Sequence, residues 1–236
     1  MSTIPKKIHY CWFGGNEKSE LIKRCIQSWK TFCPDYEIVE WNEKNFDINQ
    51  SPFTKKMYGQ KKWAFVSDYV RFFVLEKYGG WYLDTDMELF QSLDKISNNE
   101  IVLGEENKNI ISAGAIGSVT NNSFISQCRE YYDKNINELI TSPRVMNEVY
   151  KNYFNKNSVF ILPPIAFYPY NAENIRGFKK ENLTSETIGV HFWNYSWGHP
   201  VLRFLNNFSI YHSLKRLLDK LHLKTFIKKT LKLART

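Results

Sequence analysis

No stretch of this 236-residue chain supplies the roughly 18 consecutive apolar residues that a membrane-crossing helix needs, so no span is expected. Cysteine is sparse too. Cys11, Cys25, Cys33 and Cys128 stand apart, with no C-x-x-C pair and no histidine spaced to complete a zinc site. That excludes a zinc ribbon, and four reduced, mostly buried thiols are expected. The opening residues, Met1 to Tyr10, lack the apolar run of about 7 to 15 residues that marks a signal peptide, which points to a cytoplasmic protein. Internal repeats and low-complexity linkers are missing as well, so neither a solenoid nor a disordered array is expected.

What the chain does have is a globular composition, 43% hydrophobic and 24% charged, with an aromatic share of 16%. The length suits one catalytic-size α/β domain, residues 1–200, and an appendage, residues 201–236. Charge divides the same way. From Val201 onward nine lysines and arginines face one acid, Asp219, a surplus of eight that equals the net charge of the whole chain, +8. The first 200 residues are therefore balanced. In the tail, Ile210, Leu214, Leu217, Leu218 and Leu221 follow one helical stripe, and Leu223, Phe226, Ile227 and Leu231 follow a second, rotated one. The pattern reads as an amphipathic helical anchor lying on an anionic membrane surface, which would make the protein peripheral on the inner face of the plasma membrane. The alternative is a helix packed on the domain with a solvated basic face. No nucleic-acid-binding motif accompanies the basic residues, so nucleic acid is not expected as a partner.

Along the domain, Lys7 to Phe13 reads as a strand ended by Gly14-Gly15. A helix follows through Leu21, Ile22, Cys25, Ile26 and Trp29, and Cys33-Pro34-Asp35 breaks it before a strand at Tyr36 to Trp41. That is a β-α-β unit, so a parallel pair is expected. The next helix runs from about Lys62 to the stop at Gly79-Gly80, apolar over most of its surface, and leads into a short strand at Trp81 to Leu83. Later strands are expected at 101–103, 113–119, 159–162 and 187–192, and helices near 123–132 and 143–154. The whole is a mostly parallel sheet with flanking helices.

The chemistry concentrates between Ser67 and Asp86. Asp84 and Asp86 flank Thr85, and on an extended strand end their side chains project to one side, about 7 Å apart at the Cα atoms. Such a pair can hold Mg²⁺ or Mn²⁺ directly and through water, with positions left for substrate oxygens; otherwise it is a polar loop. Asp68 and Arg71, three apart on the buried helix, share a face and form either a buried ion pair or a ligand contact. Trp12, at the end of the first strand, is placed either for core packing or to stack on a nucleobase. His191-Phe-Trp-Asn-Tyr-Ser-Trp-Gly-His199 gathers imidazole, indole, phenol and hydroxyl groups that need partners, suited to closing over a diphosphate, with His191 as a neutral imidazole ligand.

Four ordered motifs, Ile8 to Gly15, Ser67-Asp68-x-x-Arg71, Gly79-Gly80-x-Tyr82-x-Asp84-x-Asp86 and His191 to Trp197, together resemble the D-x-D sugar transferases of glycosyltransferase family 32. That family includes bacterial capsular and surface polysaccharide transferases and fungal initiating mannosyltransferases, with the clostridial glucosylating toxins more distant. The resemblance implies a GT-A fold and transfer of a sugar from a nucleotide diphosphate, a UDP-sugar foremost, with the α configuration kept. It places Trp12 on the donor base, Asp68 and Arg71 at the donor sugar and phosphate, and Asp84 at the ribose and a metal-bound water. Asp86 becomes the main metal ligand, Ser196 and Trp197 contact the diphosphate, and His191 completes the metal site. The expected function is a metal-dependent hexosyltransferase acting on a growing, lipid-linked surface polysaccharide or glycolipid. The rivals are a toxin-like transferase modifying a protein hydroxyl and a non-enzymatic basic peripheral-membrane or nucleic-acid-binding module.

Overall fold

A computed structural model describes residues 3–194. The expected appendage from 201, together with Ser196 and Trp197, lies outside the described residues. Within them the chain runs β1 (Lys7–Cys11), α1 (Glu20–Phe32), β2 (Glu37–Trp41), α2 (Pro52–Gly59), α3 (Trp63–Tyr78), β3 (Gly80–Leu83) and β4 (Met87–Leu89), followed by β5 (Ile101–Asn107), β6 (Ile110–Ser118), α4 (Ser123–Lys134), α5 (Ser142–Asn152), β7 (Val159–Leu162) and β8 (Gly189–His191). Among these residues no helix is long and apolar enough to cross a membrane. All four cysteines are free and buried, as expected.

Six strands form one sheet in the order β2-β1-β3-β6-β5-β7. The β1–β2, β1–β3 and β5–β7 pairs are parallel, while β6 runs antiparallel to both β3 and β5. Five strands thus point one way, and their C-terminal ends share an edge, where open α/β sheets form their ligand crevice. Alternation along the strands sorts the core into two layers. Tyr82, Ile101 and Leu103 face the helical layer of α2, α3, α4 and α5, whereas Ile8, Tyr10, Trp81, Leu83 and Val102 face Trp29 of α1 and the segment around Phe167.

Two local features position the site. α3 is buried over nearly its whole circumference, from Val66 to Leu75, so its two charged residues are carried into the interior. It stops at Gly79 (φ 61°), where a Cβ would lie 2.9 Å from the Thr120 amide nitrogen, and Gly80 (φ 96°) opens β3 with only 2.8 Å between its would-be Cβ and the Lys7 carbonyl oxygen. Glycines here let the helix turn straight into the strand.

Several boundaries differ from expectation for tertiary reasons. β1 ends at Cys11, and β8 covers only Gly189–His191, because its partner β4 is three residues long. Neither α2, capped by Ser51 with Pro52 at its start, nor β4 carries enough periodic sequence to be recognised. Asp84 and Asp86 are not on an extended strand end: β3 stops at Leu83, and the Met87 N–H donates to the Asp84 carbonyl at 2.9 Å, closing a turn. The carboxylates therefore converge through a turn rather than through strand alternation.

Candidate metal and donor-binding site

The turn sets Asp84 and Asp86 at the C-terminal edge of β3, and the two-stranded ribbon β4–β8 brings a third group to them. Its register pairs Met87 with His191. α1 fixes the ribbon: the Trp29 indole N–H donates to the Met87 carbonyl at 2.7 Å, the Ser28 hydroxyl accepts from the Leu89 N–H at 2.9 Å, and Arg24 pairs with Glu88 at 3.1 Å. His191 Nε2 then lies 3.1 Å from Asp86 Oδ1 and 3.7 Å from Asp84 Oδ2. One donor atom from each of the three side chains falls within 4.8 Å of the others. Asp86 is gripped from beyond β8 as well, its Oδ2 accepting from the Asn194 N–H at 2.6 Å and its carbonyl from the Phe192 N–H at 2.9 Å.

Electrostatics couple the three. Burial alone would depress the His191 pKa, but Asp86 and Asp84 outweigh it and push it up to about 10. Burial works to raise Asp86, yet His191 and the Asn194 N–H hold that carboxyl below the usual carboxylate range. Nε2 faces both carboxylates, so a cation held by all three groups would compete with the proton they favour there. Two carboxylates and one imidazole are a fitting donor set for Mn²⁺ or Mg²⁺, and with their atoms this close a cation in place of that proton would satisfy all three. Asp84 has the most open side chain of the three, 28% exposed against 14% for Asp86 and 10% for His191, which suits it to reach outward.

Behind the turn stands Arg71. Its guanidinium bonds Asp68 Oδ1 at 2.8 Å, the Ala113 carbonyl at 2.8 Å and Asp84 Oδ1 at 3.3 Å, and lies 4.5 Å from the centre of the Tyr82 ring. Asp68 also accepts from the Ser142 hydroxyl at 2.5 Å. Burial raises the Asp68 carboxyl, with Arg71 and Ser142 opposing it; burial also disfavours the charge on Arg71, but Tyr82, Asp84 and Asp68 outweigh it. The Asp68–Arg71 pair is thus completed by protein groups, and it holds Asp84.

Trp12 follows β1 on the same sheet edge. It is half-buried, its indole N–H donates to the Asn16 carbonyl at 2.7 Å, and the Lys18 ammonium lies 5.3 Å from its ring. The structure gathers Asp68, Arg71, Asp84, Asp86 and His191 into one constellation, with Trp12 one strand away.

Other participants carry no sequence motif. On β6 a bulge leaves Ala113, Gly114 and Ala115 unopposed by β5 between Leu103↔Ile116 and Gly104↔Ser112. It supplies the Ala113 carbonyl to Arg71 and the Gly114 carbonyl to the Asp84 N–H at 2.8 Å. A Cβ on Gly114 would lie 3.0 Å from Tyr168 Oη and 3.2 Å from Asp84 Oδ2. Tyr82, in contrast, sits inside the Gly-Gly-x-Tyr-x-Asp-x-Asp block and was visible there.

Residues 19–103 match the family described as the glycosyltransferase sugar-binding region containing a DXD motif. Similar sequences include lactosylceramide 4-alpha-galactosyltransferase of Homo sapiens, 28% identical over 148 residues covering 55% of this chain and 41% of that protein. Another is inositol phosphoceramide mannosyltransferase 2 of Schizosaccharomyces pombe, 27% identical over 181 residues covering 71% and 51%. The chain thus spans about half, or less, of the length of these relatives. Among solved structures, PaToxG glycosyltransferase superposes with a TM-score of 0.54 at 20% identity, covering 65% of this chain and 70% of that one. The glycosyltransferase GlyE of Streptococcus pneumoniae gives 0.51 at 10% identity, covering 80% and 54%. The fold is that of the GT-A glycosyltransferases. The match of residues 19–103 to a DXD sugar-binding region and the glycosyltransferase relatives bear out the resemblance drawn from the sequence motifs.

Proposed function

We propose that the protein is a metal-dependent, retaining glycosyltransferase that moves a hexose from a nucleotide-diphosphate sugar, a UDP-sugar foremost, to a lipid-linked glycan or glycolipid. The observation that carries this is the convergence of Asp84, Asp86 and His191 at the C-terminal edge of the parallel strands. In the transfer, the bond between the anomeric carbon and the diphosphate oxygen breaks, and the acceptor hydroxyl oxygen takes that carbon while its proton is released. A divalent cation, when bound there, would supply positive charge to the departing diphosphate. Asp86 and His191 would hold the cation, and Asp84, the most open of the three, would reach the ribose and a bound water. Arg71 fixes Asp84 and adds positive charge on the phosphate side, and Asp68 holds Arg71. Trp12, on the β1 end, would stack on the base. Ser196 and Trp197 would contact the diphosphate. On this reading Arg71, Asp84 and Asp86 carry the catalytic burden.

The acceptor class is supported by the names of two relatives, which specify ceramide-containing lipids. One name specifies a galactosyl and the other a mannosyl group, so they do not converge on a sugar. A surface-polysaccharide acceptor and a place on the inner face of the plasma membrane follow from the family resemblance and the basic tail sequence.

The test is donor hydrolysis across a panel of UDP- and GDP-sugars with and without Mn²⁺. Metal-dependent release of a nucleoside diphosphate is expected, and Asp86→Ala should abolish it while the protein still melts cooperatively. Full turnover in that variant would sink the metal assignment.

A further inference from the structure

Beside the cation-binding constellation, on the side away from β1, lies a second polar group of residues that the reading above does not use. β5 and β6 are out of step here. Glu105 pairs with Ile111 and Asn107 with Ile110, so Glu106 is the extra residue of a bulge and faces no partner across the ladder. Bulges beside sites commonly re-aim a side chain. The half-buried Glu106 carboxylate sits against the Ser112 hydroxyl and within electrostatic reach of His191 and Tyr168. Tyr168 is 4% exposed, and its hydroxyl lies near the Ser112 side chain and the Ala115 backbone without a well-formed hydrogen bond to either. A buried phenol whose hydrogen bonding is incomplete costs free energy unless a ligand completes it. Between Tyr168 Oη and Asp84 Oδ2 lies Gly114, where any side chain would fill the gap. The Tyr168 hydroxyl and the Asp84 carboxylate thus face bare backbone at Gly114, with the Glu106 carboxylate near Ser112 beside them.

Strand order says what belongs there. With the base at the end of β1 and the diphosphate at the end of β3, the donor extends along the edge across β6 toward β5. Neighbouring strands lie about 4.8 Å apart, so β1 to β5 spans roughly 14 Å, about the reach of an extended nucleotide sugar. The sugar then meets Glu106 and Tyr168. A carboxylate that accepts two hydroxyls beside a phenol that donates or accepts is well matched to a ring bearing adjacent hydroxyls.

We propose that Glu106 and Tyr168 form the subsite that reads the hydroxyls of the transferred hexose, and so set which sugar is accepted. This rests on the site being a nucleotide-sugar site. Sites built to bond a hydroxyl reject an analogue in which that hydroxyl is absent or misplaced, because the protein group is then left unpaired.

The experiment compares two donors that share a nucleotide and differ in the orientation of one hydroxyl, such as UDP-glucose and UDP-galactose, in the unaltered protein, Glu106→Gln and Tyr168→Phe, all with Mn²⁺. Binding of the nucleoside diphosphate alone is followed in parallel by the shift in melting temperature. Both variants should keep the nucleoside-diphosphate shift, and Tyr168→Phe should change the melting temperature little, since its hydroxyl makes no well-formed hydrogen bond. The ratio of kcat/KM between the two donors should fall by about tenfold or more. An unchanged ratio in both variants overturns the subsite alone. So does a loss of nucleoside-diphosphate binding in step with turnover, which would mark a merely structural role. If the unaltered protein turns over no sugar nucleotide at all, both this subsite and the proposed function fall.

Discussion

His191 Nε2 lies 3.1 Å from Asp86 Oδ1, and the carboxylates keep that imidazole protonated up to about pH 10. A cation entering the site must displace this proton, so binding of Mn²⁺ should release close to one proton near pH 7 and tighten with rising pH. Below the His191 pKa the gain is up to about tenfold per pH unit. Calorimetry in buffers of different ionisation heat would count the proton. Affinity independent of pH would remove His191 from the ligand set.

Arg71 bridges Asp68, Asp84 and the Ala113 carbonyl through one planar fork, which an ammonium cannot reproduce. Arg71→Met should cost about 3 to 5 kcal/mol of folding stability, because it strands the buried Asp68 charge. Adding Asp68→Asn should return much of that stability in urea melts, but should not restore donor turnover. Restored turnover would mean that Arg71 matters only as Asp68's counter-charge.

Gly114→Ala tests the close approach at Asp84. The backbone there is unstrained, so the added methyl acts only through its contacts with Tyr168 Oη and Asp84 Oδ2. A fall in kcat/KM of about 10-fold to 100-fold is expected, with little change in the urea midpoint. An active variant with a reduced midpoint would reverse the assignment.

His9 is a separate stability switch. It is 1% exposed; its Nε2–H donates to the Gly79 carbonyl at 2.9 Å, and its Nδ1 accepts from the Trp41 indole N–H at 3.1 Å, a pairing that needs the neutral ring. Burial, only partly opposed by the Gly79 bond, lowers its pKa from 6.5 to about 4. The unfolded chain therefore takes up a proton that the native state refuses, and stability falls as pH drops from about 6.5 to 4, then levels off. The full effect is about 3 kcal/mol. His9→Gln should be less stable at neutral pH but should lose this slope, as denaturant titrations at pH 4.5 and 7 would show.

What could be read from the chain follows how local each determinant is. The α3 helix, its glycine stop, β3 and the Asp84–Asp86 pair are contiguous, and periodicity with glycine chemistry was enough to place them. The β1-α1-β2 unit was legible for the same reason. The turn that aims the two carboxylates was not, because it depends on β3 ending at Leu83 where Gly114 on β6 takes over its hydrogen bonding. Nor were Ser142, Tyr168 and Glu106, whose roles come from bulges and from segments distant in sequence. His191 stood out only as part of a cluster needing partners, and β4, which places it, is too short to leave a pattern.

The β4–β8 ribbon gives the cation a mechanical meaning. Asp86 and His191 are separated by about 100 residues of chain, and a crosslink closing a loop of that size removes on the order of 5 kcal/mol of unfolded-state freedom in the chain-entropy view. A cation held by both residues is such a crosslink, removable by chelation. It would tie the strand that closes the described domain to the first half of the sheet, so the same ion that readies the donor site would also staple the two ends of the fold together.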